Sequence, residues 1–232
     1  MKNIIVFSVL LATLLQSSAV SLTDNKPRSE LDSSNKQPAS SMTVGIEKIM
    51  RLPQPRMVIF GGSNVGEKHM NYYENAYNLA QKLARNNSSI ITGGGPGIME
   101  ASNCGSMSAK TNTIKSFGVS VTGLSLNACL EDYIIMPDLY SRLALLTYHA
   151  DGFILFPGGY GSAQELFSIL TLMKIKKIDK VPIVLFGKEY WQKLIDWIDL
   201  AAHEKFIPDD AINLIHTTDD VDEAFDILTK KY

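Results

Sequence analysis

The chain has 232 residues, enough for one domain of about 150–200 residues plus an extension. Its 45 % hydrophobic content suits a globular chain with a buried core, and its net charge of −2, without a basic run, leaves no electrostatic footprint for nucleic acid. Cys104 and Cys129 have neither zinc nor redox spacing and are expected as two free thiols, with pairing left open if the chain is exported; the histidines (His69, His149, His203, His216) are scattered, so no metal site is readable.

The N-terminus has the form of an address. Met1-Lys-Asn precedes the apolar run Ile4–Leu15, which is followed by Gln-Ser-Ser-Ala19. A cation, a short apolar core and small residues before the cut predict a secretory signal peptide over 1–19, and the run is short for a membrane span. Export, periplasmic or secreted, is the expected localisation if that signal is real, and the cytoplasm otherwise. Residues 20–43 are rich in Ser, Asn, Asp, Lys and Pro and are expected as a disordered linker, with the folded domain over 44–232.

From Met57 short apolar runs alternate with helical periods. Met57–Phe60 reads as a strand ending in Gly61-Gly-Ser-Asn-Val-Gly66. Tyr73, Ala76, Tyr77, Ala80 and Leu83 recur at helical spacing to about Arg85. Ser89–Thr92 is a second strand, closed by Gly93-Gly-Gly-Pro-Gly97, after which a helix opens at Ile98 and runs to about Lys110. Strands are expected at Gly118–Thr122 and Tyr133–Met136, with the loop Leu126–Asp132 between them and a helix over about Asp138–His149 beyond. The apolar run from Phe153 ends in Pro157-Gly-Gly-Tyr-Gly161. Helix Ser162–Lys177, strand Val181–Phe186, helix Glu189–His203, strand Asn213–His216 and helix Val221–Lys230 complete the pattern. Nearly continuous apolar strands alternating with helices predict an α/β fold, a parallel sheet covered on both faces.

All three glycine loops fall at strand carboxyl ends, where open parallel sheets collect ligands. The first resembles a dinucleotide fingerprint, but the second strand ends in Thr92-Gly93 rather than in the acid that would hold a ribose, and no Gly-Lys-Ser/Thr follows for a P-loop. Glycines at helix starts let backbone N–H groups close on an anion. Two further side chains join this expectation. Glu165, in Ser162-Ala-Gln-Glu165, has the spacing of a capping box, and a place in the first helical turn would favour its ionised form. Arg142 has Asp138 four residues before it, an ordinary helical pair, yet it falls early in its helix, where the dipole disfavours a cation unless an anion is near.

Gly93-Gly-Gly-Pro-Gly-Ile-Met-Glu-Ala101, Arg142 in Tyr140-Ser-Arg-Leu-Ala-Leu-Leu, and Pro157-Gly-Gly-Tyr-Gly-Ser-Ala-Gln-Glu165 resemble the Lonely Guy (LOG) family, over about Val58–Ile207. Its members were long labelled lysine decarboxylases, although no lysine-anchored pyridoxal signature is present here. The resemblance implies a Rossmann-like doubly wound sheet and a nucleoside 5′-monophosphate phosphoribohydrolase. Such an enzyme uses water to release a free base and ribose 5-phosphate from AMP or a cytokinin riboside monophosphate, and needs no cofactor. By the same resemblance Arg142 and Glu165 are catalytic. The substrate and its phosphate would be held by Gly62, Ser63, Gly94, Gly95, Gly97, Met99, Glu100, Gly158, Gly159, Gly161 and Ser162.

The expected partners are a small-molecule nucleotide and a second copy of the chain, with no nucleic acid and no membrane beyond the leader. Two departures stand out: Leu143 follows Arg142 where many members have lysine, and Ser162 replaces the usual threonine. The rival reading is binding without chemistry, since related Rossmann-like proteins carry the molybdenum cofactor on similar glycine loops. The expected carboxylate at the site favours the enzyme.

Overall fold

A computed structural model describes residues 41–112, 116–208 and 211–230. The leader and most of the linker therefore lie outside the described residues. The linker's last three residues do not: a helix, α1, runs over residues 41–50. It belongs to the domain because Met42, Gly45 and Ile49 recur on one face. Ile49 is buried, and Gly45 lies so close to Leu145 that a Cβ there would overlap it. Lys48 Nζ fixes the helix to the sheet by donating to Asp132 Oδ1 at 2.6 Å and to the Tyr133 carbonyl at 3.0 Å.

Seven strands form one parallel sheet: β1 (Arg56–Phe60), β2 (Ser89–Thr92), β3 (Ser116–Val121), β4 (Asp132–Met136), β5 (Gly152–Leu155), β6 (Ile183–Phe186) and β7 (Ile215–Thr218). Their order is β4-β3-β2-β1-β5-β6-β7, so the winding reverses between β1 and β5. The register across that reversal pairs Phe60 with Leu155, leaving the loops after β1 and β5 side by side. This is the switch point at which doubly wound sheets open a crevice.

The remaining helices are α2 (Met70–Arg85), α3 (Ile98–Ser108), α4 (Leu139–Thr147), α5 (Tyr160–Lys174), α6 (Lys188–His203) and α7 (Val221–Thr229). The two-residue period of the strands divides them between two layers. Val58, Phe60, Phe153, Leu155, Ile183 and Leu185 face a core shared with α1, α4, α5 and α6. Met57, Ile59, Ile154, Phe156, Val184 and Phe186 face α2, α3 and α7. Phe156 stacks on Phe186 with ring centroids 4.7 Å apart, and each such fully buried ring contributes about 2–3 kcal/mol. Both faces are covered as the alternation required, which makes this the expected Rossmann-like doubly wound α/β fold.

Several boundaries differ from expectation for local reasons. Helix α5 opens at Tyr160 rather than Ser162, because the chain turns at Gly159, which is its N-cap without a side-chain bond. It stops at Lys174 rather than Lys177, since Lys176 adopts a left-handed φ of 57°. Residues Ala211–Leu214 form a 3-10 turn, so the last strand begins at Ile215 rather than Asn213.

The two cysteines are not free thiols. Cys104 of α3 and Cys129 of the β3–β4 loop form a disulfide with their Cα atoms 4.8 Å apart. Closing a loop of 25 residues restricts the unfolded chain by about 3.5 kcal/mol on chain-entropy grounds.

Candidate active site

The three glycine loops meet at the carboxyl ends of β1, β2 and β5 and bond to one another. Gly62 N donates to the Pro157 carbonyl at 2.9 Å, and the Gly62 carbonyl accepts from Ile98 N, the first amide of α3, at 3.0 Å. The close approach requires glycine at 97: its φ is +70°, and a Cβ would run into the Gly62 carbonyl and Ser63. Gly158 is similarly covered by the Ser162 hydroxyl, and the Tyr190 hydroxyl of α6 donates to the Gly158 carbonyl. The first and third loops are thus bound into one floor beside the start of α5.

This arrangement divides the expected anion-binding positions. The amides of Gly62 and Gly94 are already engaged, the latter by Thr92 Oγ1 at 2.9 Å. The start of α5 is open. No atom lies within 4 Å of where a Cβ on Gly159 or Gly161 would stand, so packing does not demand glycine at either position. The first intrahelical bond there is Ala163 N to the Gly159 carbonyl. The preceding amides, on a positive helix end, are available to an anion.

Ser162 is the third residue of α5, not its cap, and Glu165 lies in the second turn, so the capping-box reading of this segment does not hold. Glu165 instead points into the protein with only 11 % of its side chain exposed, and Arg142 Nη1 donates to its Oε1 at 3.2 Å. Arg142 does not pair with Asp138. That carboxylate caps α4 through the amides of Tyr140 and Ser141, and these bonds with the Ser141 hydroxyl hold it below its ordinary pKa. Arg142 Nε donates to the Val119 carbonyl at 3.0 Å, and the guanidinium packs against Gly93, where a Cβ would displace it. The anion that an early-helix arginine required is therefore Glu165.

Burial dominates the ionisation of Glu165. Desolvation raises its pKa from the ordinary 4.5 to about 7, although the charge and hydrogen bond of Arg142 pull it down. The expectation of a firmly ionised carboxylate is corrected, since the helix end that was to stabilise it is a turn away and water is largely excluded. Near neutral pH the group is present in both forms.

Among the other expected residues, Met99 lies against Gly93 and Gly95, and Ser63 is exposed at the rim beside Gly97. Glu100 is half-buried in the first turn of α3, and its charge adds to burial in raising the pKa of Tyr73 on α2. Leu143 is half-buried on α4. Three participants were not expected: Tyr190, Thr92 and Asn127, whose amide groups bond to the Gly94 and Gly95 carbonyls. Among the described residues no group of three His, Cys, Asp or Glu side chains is placed to hold a metal.

A family model described as "Possible lysine decarboxylase" matches residues 97–228, which include Arg142, Glu165 and the Pro157–Gly161 turn. The chain belongs to this family, the LOG family. A cytokinin riboside 5′-monophosphate phosphoribohydrolase of Arabidopsis thaliana is 27 % identical over 75 % of this chain and 81 % of its own length. A pyrimidine/purine nucleotide 5′-monophosphate nucleosidase of Escherichia coli is 33 % identical over 68 % of this chain, which matches 38 % of that longer protein. In fold, the chain is similar to the molybdenum cofactor carrier protein of Chlamydomonas reinhardtii, with a TM-score of 0.56 and 20 % identity over 74 % of this chain and 93 % of that one.

The buried acid has a measurable consequence for this LOG-family chain. The folded protein keeps the Glu165 proton up to about pH 7 while the unfolded chain releases it near 4.5, so the stability linked to that proton is complete below 4.5 and is lost as pH rises to about 7. Glu165→Gln is expected to gain thermal stability relative to the unaltered protein between pH 5 and pH 8. A difference in melting temperature that stays flat over this range would mean that Glu165 titrates as an ordinary surface carboxylate.

Proposed function

We propose that the protein hydrolyses the N-glycosidic bond of a nucleoside 5′-monophosphate, releasing the free base and ribose 5-phosphate. The observation that carries this reading is the open amide end of α5 beside a buried carboxyl group paired to an arginine, all at the switch point of the sheet. The 5′-phosphate would lie on the amides around Gly159 and Gly161, with Ser162 and Gly158 beneath it. This grip would bring the sugar toward Glu165 and supply binding energy remote from the bond being broken.

Cleavage of such a bond builds positive charge on the ribose ring. The ionised form of Glu165 would stabilise that charge or take a proton from the attacking water, and its pKa of about 7 keeps it ready for proton exchange. Arg142 would hold the carboxyl group in place and meet the negative charge of the phosphate or the departing base. AMP and cytokinin riboside monophosphates are the proposed substrates, supported by the activities named for the plant and bacterial relatives. A carrier of an anionic cofactor would gain nothing from a carboxylate beside its anion.

Purified protein incubated with AMP is expected to release adenine and ribose 5-phosphate. Glu165→Ala should slow this at least roughly a hundredfold with a smaller effect on substrate binding. A Glu165→Ala protein of near-normal activity would sink the assignment.

We propose further that two copies associate. Tyr140 and Leu139 at the start of α4 and Tyr160 at the start of α5 are largely exposed apolar groups beside the site, which a second copy would cover. Sedimentation of the purified protein should give a dimer's mass, and a monomer at micromolar concentration would reject this. Export is also proposed, on the leader pattern and on the Cys104–Cys129 disulfide, which suits an oxidising compartment. Protein isolated from its natural source should then begin at Val20, and a retained Met1 would count against cleavage.

A further inference from the structure

The loop between β3 and β4 folds back over the second glycine loop, and one residue makes most of the attachment. Asn127 N donates to the Gly94 carbonyl at 2.9 Å. Its Nδ2 donates to the Gly95 carbonyl at 2.9 Å and to Asn103 Oδ1 at 3.0 Å, while its Oδ1 accepts from Cys129 N at 3.0 Å. The chain of bonds continues from Asn103 Oδ1 to the Thr92 hydroxyl at 2.7 Å, and from that hydroxyl oxygen to Gly94 N. Leu126 and Leu130 pack on Gly94 beside these bonds.

Both N–H donors of the Asn127 side chain are thus spent inside the protein, so it has no donor left for a ligand. What it fixes is the backbone of residues 93–95, and Gly93 is the surface against which the Arg142 guanidinium rests. The disulfide braces the same network. Cys104 directly follows Asn103, and Cys129 N is the donor to Asn127 Oδ1.

We infer that Asn127 is a positioning residue for the candidate site. Held by the Cys104–Cys129 cross-link, it sets the second glycine loop and, through Gly93, the seat of Arg142. This rests on the proposed nucleotide site. An aspartate at 127 would keep size and acceptor but lose both donors, so the two substitutions Asn127→Asp and Asn127→Ala should behave alike. If only packing mattered, Asp would be tolerated.

The test combines kinetics on AMP with hydrogen exchange of the oxidised protein. Asn127→Asp and Asn127→Ala are expected to raise KM roughly tenfold with kcat changed much less, because the buried Gly95 carbonyl loses its donor and Asn103 Oδ1 keeps only that of Thr92. Cys104→Ser/Cys129→Ser should shift KM the same way, and its combination with Asn127→Ala should give less than the product of the separate effects. Amide exchange over residues 93–97 should accelerate roughly tenfold in all these variants while exchange over β6 is unchanged. Exchange is read without turnover, so a protein inactive on AMP would count against the proposed function, and exchange alone would then decide this inference. Unchanged exchange over 93–97, equal acceleration in β6, or a loosened loop with unaltered KM in an active protein would each overturn it.

Discussion

The backbone of Gly62 holds the site together. Its amide is bonded to the loop after β5 and its carbonyl to the first amide of α3, so three loops that are far apart in sequence meet over one residue. The parallel register of β1 between β2 and β5 makes this meeting possible, and the absence of a Cβ at Gly97 lets the chains close to hydrogen-bond distance. Each bond also uses an amide that could otherwise have faced a ligand. The protein thereby concentrates its remaining anion-binding capacity at the start of α5.

Burial of Glu165 follows from the same geometry. A helix that starts at Tyr160 turns its sixth residue inward beneath the strand ends, where Arg142 is the charge that reaches it. The two effects oppose each other: desolvation favours the neutral acid and the arginine favours the carboxylate. Desolvation prevails, which leaves the group near its midpoint at neutral pH. A carboxyl group in that condition is costly to keep as structure alone, since a neutral side chain of similar shape would escape the penalty.

Much of this was legible beforehand because strands buried on both faces leave uninterrupted apolar runs, and glycine loops leave a signature independent of tertiary context. The α/β fold with helices on both faces and the placement of all three loops follow from such signals, whereas Arg142 and Glu165 were expected at one site only through the family resemblance. Helix α1 was partly hidden because its buried face carries Gly45, a residue that propensity counts against a helix and that only the proximity of Leu145 explains. The start of α5 was misplaced because Ser162 and Glu165 imitate a capping box, while the true cap, Gly159, has no side chain to announce itself. Spacing also could not reveal the disulfide, which depends on the β3–β4 loop folding back onto α3. Asn127 was hidden for the same reason.

The charge balance of the site bears on how it would receive a nucleotide. A phosphate group at the start of α5 would add negative charge near Glu165 and so favour its neutral form, unless Arg142 moved toward the phosphate or the ribose began to acquire positive charge. The Nη1 contact to Glu165 is 3.2 Å long and single, whereas the Nε bond to Val119 and the packing of Nη2 on Gly93 hold the rest of the guanidinium. Passing Nη1 from carboxylate to phosphate would therefore take only a small tilt of the guanidinium in that seat. In the proposed reaction the developing ribose cation would then replace the arginine as the partner of Glu165, so that the carboxylate is most stabilised when the glycosidic bond is partly broken. The penalty of burying this acid would then become part of the preference for the transition state, and in the proposed reaction its burial would serve catalysis rather than folding.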